Sequence, residues 1–161
     1  MKKSPPFPPL KKGGGGGIRE SHCLFFKEET VADKTSRLII RPTPVGEIPH
    51  HDMSRFHEER DVVPMNYLDD SLLAETDLVV HVTEIKRIPP DFKPYVQPHR
   101  HEVSSFYGLV GDLTVEVLLE DEKREVTGPA SIFIPPGLKH SIRPLRGKGY
   151  MIIILRQGKY E

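Results

Sequence analysis

The chain is 161 residues long and carries Lys+Arg 23 against Asp+Glu 23, a formal charge of zero. That length suits one domain, and the even balance gives no basic stripe to neutralise a phosphate backbone, which argues against nucleic acid as a partner. One cysteine, Cys23, allows neither an internal disulfide nor a Cys-rich zinc site, so any bound metal must be held by His, carboxylate or hydroxyl groups, and the eight histidines become the residues to follow.

Residues 1–20 hold prolines, two Lys-Lys pairs and the run Gly13 to Gly17. Such a composition buries too little apolar surface to offset the entropy of ordering, and a disordered low-complexity tail is expected. The amino terminus has no apolar leader, and runs such as Met151 to Leu155 fall far short of the roughly 20 residues of a membrane helix. A soluble, cytoplasmic protein that uses no membrane is therefore expected.

Residues 21–76 read as an N-terminal arm. Arg37 to Val45 is a short β-like stretch interrupted by Pro42 and Pro44, as in an edge strand. Asn66 to Glu75 places Tyr67, Leu68, Leu72 and Leu73 at spacings that predict one short helix. His50, His51, Asp52 and His57 form a histidine cluster, but neighbouring side chains diverge in an extended segment, and a solvated face is expected there.

From Asp77 to Glu161 the texture is β-rich. Apolar runs at Leu78 to Ile88, Val103 to Val110, Leu113 to Leu119, Glu125 to Thr127, Ser131 to Ile134, His140 to Pro144 and Gly149 to Leu155 are separated by turn residues, with Glu120 to Arg124 as a hairpin tip. Short strands at this spacing, with no helical pattern between them, predict an all-β sandwich or barrel.

Two segments carry chemistry. In Pro98-His99-Arg100-His101 an extended backbone points both imidazoles to one face, about 6.6 Å apart along the chain. Farther on, Ile132-Phe133-Ile134 runs into Pro135-Pro136-Gly137 and delivers His140 at the start of the next strand. In an antiparallel barrel that histidine can face the first pair.

Together these segments resemble the cupin superfamily, small double-stranded β-helix (jelly-roll-like) barrels, over roughly Asp77 to Leu155. The second cupin motif is matched by Gly128, Pro135, Pro136, Gly137 and His140. In the first, His99, His101 and Gly111 are present, while Lys93 stands at the usual first glycine and Ser105 at the usual glutamate ligand. An alternative register aligns Gln97 and His99 with the two motif histidines. The preferred register makes His99, His101 and His140 the metal ligands, with His99, His101 and Ser105 on one strand face.

The resemblance implies a divalent metal ion (Fe, Zn, Ni, Cu or Mn) and a small organic ligand or substrate in the barrel. Three neutral imidazoles without a carboxylate favour Zn, Fe, Ni or Cu over the harder Mn. Metal-dependent oxygenases and isomerases are within the family's range, as are non-catalytic binding or sensing modules and metal-free, degenerate barrels; thiol dioxygenases gain no support from Cys23. An acid or base for catalysis has His81, Tyr107 and Glu116 as candidates. Arg100 is expected to pair with Glu102, Lys139 and Arg143 to greet an acidic substrate, and the exposed edge strand to join two copies as a homodimer.

Overall fold

The computed structural model describes residues 35–56, 61–90 and 92–157. The expected tail, Cys23 and His57 lie outside them. The described residues form nine antiparallel strands: β1 (Thr43–Pro44), β2 (Val62–Leu68), β3 (Val79–Ile85), β4 (Ser105–Gly111), β5 (Thr114–Leu119), β6 (Glu122–Thr127), β7 (Ala130–Ile134), β8 (His140–Arg146) and β9 (Gly149–Leu155). Among the described residues a 3-10 turn, Met53–Phe56, precedes β2.

One sheet has the order β1-β2-β3-β9-β4-β7 and the other β6-β5-β8. From β4 onward the chain passes back and forth between them, and Val62, Ile85, Leu109, Ile134 and Met151 of the larger sheet share a core with Val115, Val117 and Ile142 of the smaller. The fold is the cupin-type jelly-roll barrel. Strict alternation produces it: β3 reads buried at Val79, His81, Thr83 and Ile85, with the residues between them half-exposed. Between β8 and β9 the backbone comes so close to the β4–β5 connection that a Cβ on Gly147 would lie 2.1 Å from the Asp112 carbonyl oxygen, and only glycine fits.

Four expectations change. Arg37 to Val45 is reduced to the two-residue strand β1, because Pro42 and Pro44 remove the donors a longer ladder needs. Asn66 to Glu75 is not helical. Asn66 to Leu68 end β2, and Asp69 Oδ1 then accepts the backbone N–H groups of Ser71 and Leu72, turning the chain instead of starting a helix. The barrel sheet therefore takes in β2, ahead of Asp77, and Pro64 is tolerated within that strand because β1 covers so little of its outer side. The β5–β6 tip is also tighter than expected: β6 begins at Glu122, and Glu120 takes a positive φ of 50° at the turn.

Candidate metal centre

His99 and His140 lie opposite one another in an antiparallel bridge. The His99 N–H donates to the His140 carbonyl at 3.0 Å and the His140 N–H to that of His99 at 2.9 Å. Residues directly opposed in this way project their side chains to the same side. The Pro-Pro-Gly segment sets up the pairing. Gly137 adopts φ 76°, the Leu138 N–H reaches back to the Pro135 carbonyl at 3.3 Å, and proline followed by a positive-φ glycine at the centre is the chemistry of a type II turn. No atom lies within 4 Å of where a Gly137 Cβ would be, so its φ and not crowding selects glycine. The Gly137 N–H then donates to the His101 carbonyl at 2.8 Å, tying the turn to the His-x-His segment.

These bonds bring His99, His101 and His140 together, all buried, with one ligand atom from each lying within 4.8 Å of the others. The His99 Nδ1–H donates to the Gln97 carbonyl at 2.8 Å and the His140 Nδ1–H to that of Leu138 at 2.9 Å. A carbonyl can only accept, so the lone pair of each ring is on Nε2 and its orientation is fixed, as second-shell partners fix metal-binding histidines. The Nε2 atoms of His99 and His101 are 3.1 Å apart. Two nitrogens each about 2.05 Å from one ion have that separation at an angle of roughly 100°, within the range of tetrahedral and octahedral centres. The residues fit a divalent transition metal.

Burial pushes the pKa values of His99 and His140 below the ordinary imidazole range, against the opposing pull of their carbonyl partners. Neutral, ligand-competent rings are thereby favoured. Tyr107 is buried on the same face, and its hydroxyl donates to His140 Nε2 at 3.4 Å. Ser105 is also buried, and its Oγ has no hydrogen-bond partner among the described residues. Gln97 is exposed while His101 is only 3% exposed, so the histidines of the preferred register are the ones that converge.

Beside the centre is an interior cavity lined by His51, His81, Tyr95, Tyr107, Ile142 and Met151 among others. It leaves about 30 Å³ for the centres of water-sized molecules, room for a few waters. Burial lowers the His81 pKa to about 4, with Asp69 opposing, and raises that of the Tyr95 phenol, to which Tyr107 adds.

The sequence did not point to His51. It is half-buried, its ring centroid 5.4 Å from that of His99, and its pKa is lowered to about 4 by burial and by the neighbouring histidines. The expected solvated face therefore holds for the exposed His50 but not for His51. The signal lies in tertiary pairing of residues 50–52 with 95–97, which local pattern does not reveal. Glu116 is withdrawn as an acid–base candidate: Arg143 Nε and Nη2 engage its two carboxylate oxygens at 2.8 and 3.1 Å, chiefly lowering its pKa, and Arg143 is thereby occupied too. Arg100 pairs with Glu120, not Glu102, at 3.0 and 3.1 Å, and also donates to the Gly137 carbonyl.

Fold and site together define a cupin-fold protein with a three-histidine cluster at one end of its barrel. No family model matches the chain, and no curated protein matches it in sequence. Solved structures similar to it include KdgF from Halomonas sp. (19% identity, TM-score 0.45, 63% of this chain and 84% of that one) and an RmlC-like cupin from Shewanella frigidimarina (15%, 0.45, 65% and 82%). A predicted oxalate decarboxylase from Thermotoga maritima is 14% identical, with a TM-score of 0.49 over 75% of this chain and 96% of that one.

Proposed function

We propose that this protein binds one divalent transition metal through His99, His101 and His140 and takes a small organic molecule into the adjoining cavity, as a cytoplasmic, metal-dependent oxygenase or isomerase. The observation that carries this reading is the convergence of the three buried imidazoles, two of them with Nδ1 held by a backbone carbonyl. A metal bound there supplies Lewis acidity at its open coordination positions. Tyr107 stands between the cluster and the cavity, where its hydroxyl can hold or pass a proton, and Tyr95, Met151 and Ile142 line the cavity beyond it. The narrowness of the cavity supports a ligand of few atoms.

The second reading, a non-catalytic binding or sensing module, is favoured by the cavity wall, which among the described residues contains no carboxylate, lysine or arginine. Elemental analysis of the protein purified without added metal tests the shared premise. A stoichiometric first-row metal is expected, and a metal-free protein that fails to take up zinc would overturn both readings. Turnover of a panel of small acids and enols by the loaded protein then separates enzyme from module.

A homodimer belongs to the same proposal. Phe106 and Phe133 are directly paired on the outer face of β4 and β7, 39% and 65% exposed, with Val110 and Tyr150 also exposed on that sheet. An apolar face of this kind is a common association surface. Light scattering is expected to give twice the monomer mass, and Phe133→Asp to give monomers.

A further inference from the structure

We propose that His51 is a fourth nitrogen ligand, carried to the metal centre by the N-terminal arm. The inference rests on the three-histidine reading above and extends its ligand set to a segment outside both cupin motifs.

The first observation is a shared local device. The His51 Nδ1–H donates to the carbonyl of Pro49, two residues back, at 2.8 Å, just as His99 uses Gln97 at 2.8 Å and His140 uses Leu138 at 2.9 Å. In each case the carbonyl selects the tautomer whose lone pair is on Nε2 and limits ring rotation. His51 is thus prepared as a ligand in the same manner as two members of the cluster.

The second is placement. Ring centroids within the cluster are 4.7, 4.8 and 5.3 Å apart, and His51 lies 5.4 Å from His99, edge-on at 67°. His50 is equally near, at 5.5 Å, but its ring is stacked on that of His99 at 16°. The lone pair of a stacked ring lies in a plane parallel to and offset from that of its neighbour, so the two do not meet at one ion, whereas an edge-on ring can direct its lone pair toward the same point. Of the two arm histidines, orientation therefore favours His51, which would have to close on the three ligand atoms of His99, His101 and His140 that already lie within 4.8 Å of one another.

The third is the backbone that delivers it. His51 bridges Val96, the Gln97 N–H donates to the His50 carbonyl at 2.9 Å, and the Asp52 N–H to that of Tyr95 at 2.7 Å, so the arm is bound to the segment leading directly into His99. His50 adopts φ 64°, a left-handed conformation that L-residues rarely take, and the surrounding bonds hold it there. A fourth imidazole brings the set to four protein ligands while leaving it neutral.

The test uses the full chain loaded with one equivalent of Cu(II), and pulsed EPR to count coordinated imidazoles through their remote nitrogens. Four are expected in the unaltered protein, three in His51→Ala and four in His50→Ala. Zinc affinity, read by competition with a chelating dye, should fall roughly 10- to 100-fold in His51→Ala. Three imidazoles in the unaltered protein, with zinc affinity in His51→Ala within twofold, would overturn the inference while leaving the three-histidine site standing. Failure of the unaltered protein to bind copper or zinc stoichiometrically would remove both. The count on the unaltered protein needs no variant, so a His51→Ala that does not fold leaves the question decidable.

Discussion

The two ends of the barrel interior are built from different chemistry. At the end where β4 turns into β5, Val62, Ile85, Leu109, Leu113, Val115 and Met151 form a continuous apolar plug. At the other end Ser105, Tyr107 and His81 of the larger sheet and His140 of β8 are buried among the apolar Val79, Ile134 and Leu155, with His99 and His101 beside them. Along β4 alone the buried side chains run Ser105, Tyr107, Leu109. The difference teaches that apolar packing runs the length of the barrel while most of the buried polar groups, which are costly without partners, are gathered at one end, where a ligand can satisfy them.

The largest test of that division removes ligands. His99→Ala, His101→Ala and His140→Ala should each weaken zinc binding by roughly 100-fold or more, a larger loss than His51→Ala gives, because each removes one of the three imidazoles already converged on the centre. Chelator competition measures the loss, and retained circular dichroism confirms that the plug still holds the fold. The reciprocal change is Leu113→Ala, which should cost about 2–5 kcal/mol in urea denaturation at unchanged metal stoichiometry. A large loss of metal from Leu113→Ala would show the two ends to be coupled.

A pH series sharpens the comparison. His51 and His81, each with a folded pKa of about 4, are held neutral in the fold and accept protons readily once the chain unfolds. Metal-free stability should therefore be complete above pH 6.5 and decline as the pH falls from there toward 4. The buried His81 accounts for up to about 3 kcal/mol of that decline. His81→Gln should flatten the profile by its share, whereas Leu113→Ala should lower it at every pH. The smallest expected effect is a shift in preference: Ser105→Glu should favour Mn over Zn about tenfold relative to the unaltered protein, by adding a hard oxygen donor at the polar end. Metal competition reads it directly, and an unchanged ratio would place that side chain off the centre.

What the sequence made legible was whatever has a local signature. β3 to β9 announce themselves by alternation and turn residues, except for the exposed first half of β6, which reads as a hairpin tip, and Pro135-Pro136-Gly137 fixes both the turn and the side on which His140 emerges. Proline obscured β1 and β2, since Pro42, Pro44 and Pro64 break the strand pattern while the sheet edge tolerates them. The leucines after Asn66 imitate a helical stripe, and the side chain of Asp69 settles the matter by capturing the backbone in a turn. His51 was illegible for a different reason. Its significance depends on a bridge to Val96, a contact between distant segments that no periodicity encodes.

The pair of backbone hydrogen bonds joining His99 to His140 has a thermodynamic consequence. A metal that had to draw these two segments together would spend part of its affinity on closing the intervening loop. Here the loop is already closed by peptide groups, so the folded chain should form without the ion and metal uptake should be an addition to a standing structure. Ligation then acts on the unfolding equilibrium by mass action: above saturation, each tenfold rise in free metal adds about 1.4 kcal/mol to the native state. The melting temperature of the protein thus becomes a gauge of the free metal around it.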